Sequence, residues 1–189
     1  MLSTVCLPLL PMRIANHPRE ILLGAQAVTQ ALPVCDHYCG VEVRMRKSLV
    51  LQAQMLQEFG ACVFDVTLDC EDGAAVGQEK AHAQLVASLA RDAASGCRVA
   101  AFHEDVATIV GEAGHKLSHI MLPKVESIDD VLQALQVLER VGGAHIPLHA
   151  LIESPAAVQQ AFDIAAHPQV QSLSFGLMDF VSSHGGAIP

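Results

Sequence analysis

Six apolar, β-rich runs punctuate the chain: "ALPVCD" at 31–36, "VFDVTLD" at 63–69, "CRVAAF" at 97–102, "HIMLPKV" at 119–125, "IPLHALIE" at 146–153 and "SLSFGLMD" at 172–179. Each has the length of a strand and is bounded by polar or turn residues. Between them lie stretches with helical periodicity, at 44–59, 77–94, 104–114, 126–142 and 155–167. The clearest is 126–142, where Val131, Leu132, Leu135 and Leu138 follow the capping-type "SIDD". Strands that alternate with helices predict an α/β fold with a parallel sheet.

The charged residues that close these runs keep a beat. Asp72, Arg98, Lys124, Glu153 and Asp179 are separated by 26, 26, 29 and 26 residues. One strand, one helix and their loops need about 30 residues, as in a βαβ unit. The charged groups are therefore expected at one end of a common sheet. In a TIM (β/α)8 barrel the C-terminal strand ends meet around one mouth, where the chemistry happens. In an open doubly wound sheet they spread along an edge. Five charged positions in series favour the barrel. A whole barrel takes about 250 residues, and only about six βα units are legible here, so the expectation is an incomplete barrel over 21–189. Residues 1–20 read as a flexible lead-in, with Met12 as a candidate start. Leu2 to Leu10 is short, broken by Pro8, and lacks the basic flank of a signal peptide.

Composition narrows the function classes. Hydrophobic residues make up 51% and charged residues 16%, enough for a sizeable core and against disorder. Lys+Arg 11 against Asp+Glu 20 gives a net charge of −9, which argues against a nucleic-acid or anionic-membrane partner. The six cysteines form no CxxC pair and read as reduced, mostly buried thiols of a cytoplasmic protein. The ten histidines scatter without HExxH or HxH spacing, so none is assigned a ligand role. Phosphate-loop and GxSxG patterns are absent.

Glu153 and Asp179 are the sharpest candidate pair. Each closes an apolar run one repeat apart, and two carboxylates at a barrel mouth suit a hard divalent cation such as Mg²⁺. The competing reading is that both merely cap the helices that follow, since Ser154 and Pro155 suit a helix start. Asp69, Glu71 and Asp72 form an acidic loop before Gly73. It either solvates itself or orients the waters of a nearby cation. Arg98 sits in an apolar run and needs a partner. A substrate carboxylate and a nearby Asp or Glu of the acidic loop are equally good choices. Lys124 is either an anion contact or a plain charge at a helix start.

The order of these segments resembles the HpcH/HpaI aldolase and citrate lyase β-subunit family, with malyl-CoA lyases among its relatives. The acidic "DCEDGA" at 69–74, "CRVA" at 97–100, "LPKVE" at 122–126, "LIESPAAV" at 151–158 and "FGLMD" at 175–179 carry the resemblance. It implies a TIM barrel and Mg²⁺-dependent (or Mn²⁺-dependent) cleavage or formation of a carbon–carbon bond. It also implies metal binding at Glu153 and Asp179, with Glu71 and Asp72 around the ion's waters. Arg98 would grip a carboxylate of a small acid or its CoA thioester, and the subunits would form a homo-oligomer. Ala100 stands where the family often has Asn, and the usual opening "RS-x-L-x-VPG" is not evident. The rival expectations are a thioester hydrolase on the same fold, or a non-catalytic truncated barrel that serves as a binding or assembly subunit.

Overall fold

A computed structural model describes residues 32–33, 35–70, 74–102 and 106–186. The expected lead-in at 1–20 lies outside them, as do Glu71 and Asp72. Strands and helices alternate: β1 (Cys35–Cys39), α1 (Glu42–Phe59), β2 (Phe64–Leu68), α2 (Glu79–Asp92), β3 (Val99–Phe102), α3 (Val106–Ala113), β4 (Leu117–Leu122), α4 (Ile128–Arg140), β5 (Leu148–Ile152), α5 (Pro155–Ala166), β6 (Val170–Phe175) and α6 (Leu177–Ser183). All neighbouring strands are parallel, in the order β1-β2-β3-β4-β5-β6. This is the winding of an α/β barrel, open between β1 and β6.

Side-chain contacts show how strongly the sheet curls. Asp36 on β1 and His119 on β4 are three strand spacings apart, about 14 Å along a flat sheet. Yet Asp36 Oδ2 lies 3.4 Å from His119 Nε2. Further round, the Tyr38 hydroxyl on β1 comes near Ser174 on β6. Only a sheet rolled around a lumen brings these side chains together.

The two faces of the sheet differ in chemistry. Val66, Leu68, Val99, Ile120, Leu148 and Ala150 point outward into the core, against Met45, Val86, Ile109, Val131, Leu138 and Ile164 of the helices. The lumen face carries Asp36, Asp65, Thr67, His119 and His149. Period-2 alternation assigns the apolar residues to the helix layer and the polar ones to the inside. Gln52 of α1 is fully buried and donates from its Nε2 to the carbonyls of Phe64 and Arg98, at 2.7 and 2.8 Å. It ties the entries of β2 and β3 together.

The helix signals read from the chain hold. Ser127 and Asp130 form a capping box at the start of α4, and Ser154 Oγ accepts from Ala157 N–H at 3.1 Å with Pro155 in the first turn of α5. On α4, Val131 and Leu138 are buried and Leu135 packs against the core, but Leu132 is exposed. Two expected strands shift. The first run forms β1 four residues later than expected at its start, so Asp36 lies inside the strand instead of ending it. The last run is not one strand. β6 stops at Phe175, Gly176 turns the chain, and Asp179 falls in the first turn of α6.

Candidate functional site

Glu153 follows β5 directly and is buried, 8% exposed. Its Oε1 accepts the backbone N–H of Lys124 at 2.7 Å. That amide is aimed by an unusual backbone: Lys124 has φ +52°, the one non-glycine in the left-handed region among the described residues. Such a conformation costs about 1 kcal/mol for an L-residue, and it is held where "LPKVE" turns from β4 toward α4. Strain of this kind collects at functional sites.

On the other side of Glu153 stands Gly176. A Cβ at that position would come 2.7 Å from Glu153 Cβ and 2.8 Å from its Oε2. Gly176 N–H donates to the Ile152 carbonyl at 2.8 Å, which continues the β5–β6 ladder up to the carboxylate. Gly176 has φ −88°, so glycine is required here for space and not for backbone conformation. The turn it forms leads into α6, whose first turn carries the exposed Asp179. The barrel mouth thus has a buried carboxylate fixed by a backbone donor, a glycine packed against it too closely for any Cβ, and a second carboxylate three residues beyond that glycine. Two carboxylates of this kind are the oxygen donors a hard divalent cation takes.

The remaining sequence-derived candidates are distributed differently. Lys124 and Asp69 lie at the same end of the sheet as Glu153, just past β4 and β2. Asp69 N–H donates to the Cys39 carbonyl at 3.0 Å, and its own carbonyl meets His82 Nε2 at 2.8 Å. Arg98 does not end a strand. It immediately precedes β3, at the opposite end of the sheet. The 26-residue beat is real, but Arg98 keeps it from the other rim, because "CRVAAF" enters the sheet after its Arg. Its guanidinium forks onto Asp65 of β2, Nε to Oδ1 at 2.6 Å and Nη2 to Oδ2 at 3.3 Å. The partner is an acid, as one of the two readings had it, but it comes from within β2 and not from the acidic loop.

A second polar group fills the lumen, and no motif announces it. Thr67 Oγ contacts both Asp36 oxygens at 2.9 and 2.8 Å. The His119 and His149 rings stack with centroids 3.6 Å apart and planes 12° apart. Asp36, His119 and His149 can each offer one ligand atom within 4.8 Å of the others. Burial first, then the neighbouring His119, pulls His149 down to about 4, so its ring is neutral at pH 7. The Tyr38 phenol is pushed above its ordinary value, chiefly by burial of its hydroxyl end and then by Asp36, with smaller contributions from Glu153 and Asp69. Tyr38 thus stands between the lumen cluster and the mouth. Period-2 alternation of "LSHIML" and "LHALI" is the one sequence signal that puts both histidines on the lumen face.

Comparison with known proteins gives this architecture its class. Residues 49–187 match the family model of HpcH/HpaI aldolase/citrate lyase. The chain belongs to that family. A citrate lyase from Burkholderia xenovorans LB400 superposes with a TM-score of 0.72 and 42% identity, over 84% of this chain and 53% of that one. The citrate lyase beta subunit of Mycobacterium tuberculosis, solved with oxaloacetate and magnesium, shares the fold at a TM-score of 0.55 and 23% identity, over 84% of this chain and 64% of that one. An L-malyl-CoA/beta-methylmalyl-CoA lyase of Cereibacter sphaeroides is 36% identical over 90 residues, 44% of this chain and 28% of that protein. The chain therefore spans only part of the length of these relatives. Five free cysteines stand among the described residues, and none of the described helices is long and apolar enough to cross a membrane.

Proposed function

We propose that this chain carries the metal-binding half of a Mg²⁺-dependent carbon–carbon lyase of the citrate lyase and malyl-CoA lyase type. It would act on a small carboxylic acid or its CoA thioester. The observation that carries the reading is the Glu153 setting. A carboxylate is buried at the barrel mouth, anchored by a strained backbone amide, and packs against a glycine too closely for any Cβ. Family membership and the magnesium- and oxaloacetate-bound relative support it.

Glu153 and Asp179 would hold the ion. A divalent cation there supplies positive charge against an oxygen on which negative charge develops as the carbon–carbon bond breaks. Lys124 N–H keeps the Glu153 carboxyl from rotating, so one orientation faces the mouth. Gly176 lets its backbone pack against Glu153 more closely than any residue with a Cβ could, which helps to hold the carboxylate in place. Arg98 would receive a substrate carboxylate in this reading only if the substrate reached through the lumen to the other end of the sheet and displaced Asp65, which occupies its fork.

Calorimetric titration with Mg²⁺ tests the reading without requiring turnover. Binding is expected in the wild-type protein and at least tenfold weaker in Glu153→Gln and in Asp179→Asn. Equal affinities in all three proteins would remove the ion from this mouth. Where binding is retained but no acyl-CoA or hydroxy-acid cleavage follows, the chain is the non-catalytic binding subunit.

A further inference from the structure

The lumen cluster carries an inference that does not depend on the mouth. His119 is fully buried, and its Nε2 has no hydrogen-bond partner among the described residues. The other ring nitrogen reveals why. Ser118 Oγ lies 3.1 Å from the Val99 carbonyl, which can only accept, so the hydroxyl proton is directed there. With the Ser118 proton on the Val99 carbonyl, Nδ1 of His119, 3.0 Å from the same oxygen, is the N–H that donates to it. In the neutral ring this tautomer leaves a lone pair on Nε2. That lone pair lies 3.4 Å from Asp36 Oδ2, out of hydrogen-bond geometry. Two electron-rich atoms thus face each other in a buried site, an arrangement that calls for a cation between them.

The spacing suits a metal ion. With Zn–N and Zn–O distances of about 2.1 Å, a 3.4 Å ligand separation subtends roughly 110°, the tetrahedral angle. Asp36 is already oriented by Thr67 and His119 by Ser118. Hydroxyl bonds of this kind steady ligands in metal sites. His149 supplies a third donor. Its Nε2 lies 2.9 Å from Gln171 Oε1, an acceptor, so Nε2 carries the proton and Nδ1 holds the lone pair. The stacked rings have nearly parallel planes, so one ion cannot lie in both, and the His149 ring must turn to join. That turn gives up the Gln171 bond.

We propose that Asp36, His119 and His149 form a binding site for a first-row divalent transition ion of the zinc class, separate from the carboxylate site at the mouth. Two imidazoles and one carboxylate select such ions over Mg²⁺, which prefers oxygen donors. The site would pin β1, the edge strand, to β4 and β5 across the lumen.

The test is titration of metal-free protein with Co²⁺ followed by Zn²⁺. A visible absorption band of tetrahedral Co²⁺ is expected at one equivalent, displaced by Zn²⁺ and unaffected by millimolar Mg²⁺. Asp36→Asn and His119→Gln should each weaken Zn²⁺ binding at least tenfold, while Glu153→Gln leaves it unchanged. Loss in Glu153→Gln alone would assign the ion to the mouth and overturn the proposal. So would absence of the band, or equal Zn²⁺ affinity in the wild-type protein and Asp36→Asn. Asp36 is the more exposed partner, so its variant carries the test should His119→Gln fail to fold. A Zn²⁺-dependent rise in thermal midpoint, present in the wild-type protein and lost in Asp36→Asn, reports the same site without spectroscopy.

Discussion

At the scale of single residues, the chain shows that a charged side chain in an apolar run must be traced to its partner before it is given a task. Arg98 and Asp65 are opposite one another at the entry to β2 and β3, and the Asp65 side chain is only 5% exposed. Removing the guanidinium strands a buried carboxylate. Arg98→Ala is expected to lower stability by about 3 kcal/mol, at the low end for a broken buried pair because the Arg98 side chain keeps 22% exposure. Urea unfolding of Arg98→Ala, Asp65→Ala and the double variant measures this. The two single losses should exceed the double loss by more than about 1 kcal/mol. Strict additivity would show that the pair contributes nothing to the fold. The sequence made Arg98 visible as an Arg among Cys97, Val99 and Ala100, and left its partner open. Asp65 was hidden because "VFDVTLD" looks like an apolar strand with one tolerated acid. His119 and His149 were hidden for a related reason. They lie thirty residues apart in mid-strand, and Asp36 lies much farther back. Only the curl of the sheet, which no local pattern encodes, makes them neighbours.

At the scale of elements, local chemistry was readable and boundaries were less so. The capping box at Ser127 and the Ser154–Pro155 start survived intact, because caps are made by residues close in sequence. The failure at 172–179 has a definite cause. "SLSFGLMD" has the apolar density of a strand, but Gly176 breaks it, and Leu177, Met178 and Phe180 continue as a one-sided helix. Glycine here does a steric task, which sets up a matched pair of substitutions. Gly176→Ala should lower stability by about 1–3 kcal/mol, as overpacking does, and weaken Mg²⁺ binding at the mouth, because the new methyl displaces Glu153. Gly111→Ala places a methyl group in open space within α3. It should raise stability by up to about 1 kcal/mol, the helix propensity difference. Thermal unfolding and calorimetry on both variants check the pair. If Gly176→Ala is as benign as Gly111→Ala, Glu153 has more room than its packing against Gly176 suggests, and the tight-mouth account fails.

At the scale of the whole molecule, the six-stranded order leaves β1 and β6 as the edges of the sheet. Both edges follow from the order of the runs, since a parallel barrel adds strands in sequence order. The two are unequal. β1 is polar along its lumen side, while β6 and the turn after it expose Leu173, Phe175, Leu177 and Met178, with Phe162 of α5 90% exposed nearby in sequence. Backbone donors and acceptors on a free parallel edge are templates for another strand, and apolar side chains beside them add a hydrophobic driving force. The protein by itself is therefore expected to self-associate through β6, with an apparent mass that rises with concentration in light scattering. The contact should be apolar, so raising salt should leave it intact or strengthen it. Phe175→Lys places a charge on the edge and should shift the population toward monomer, whereas an equivalent charge at Val76, which is exposed on the α2 approach, should not. A wild-type protein that stays monomeric at high concentration would mean that the β6 edge is shielded by its own twist. The exposed apolar rim would then play no part in assembly.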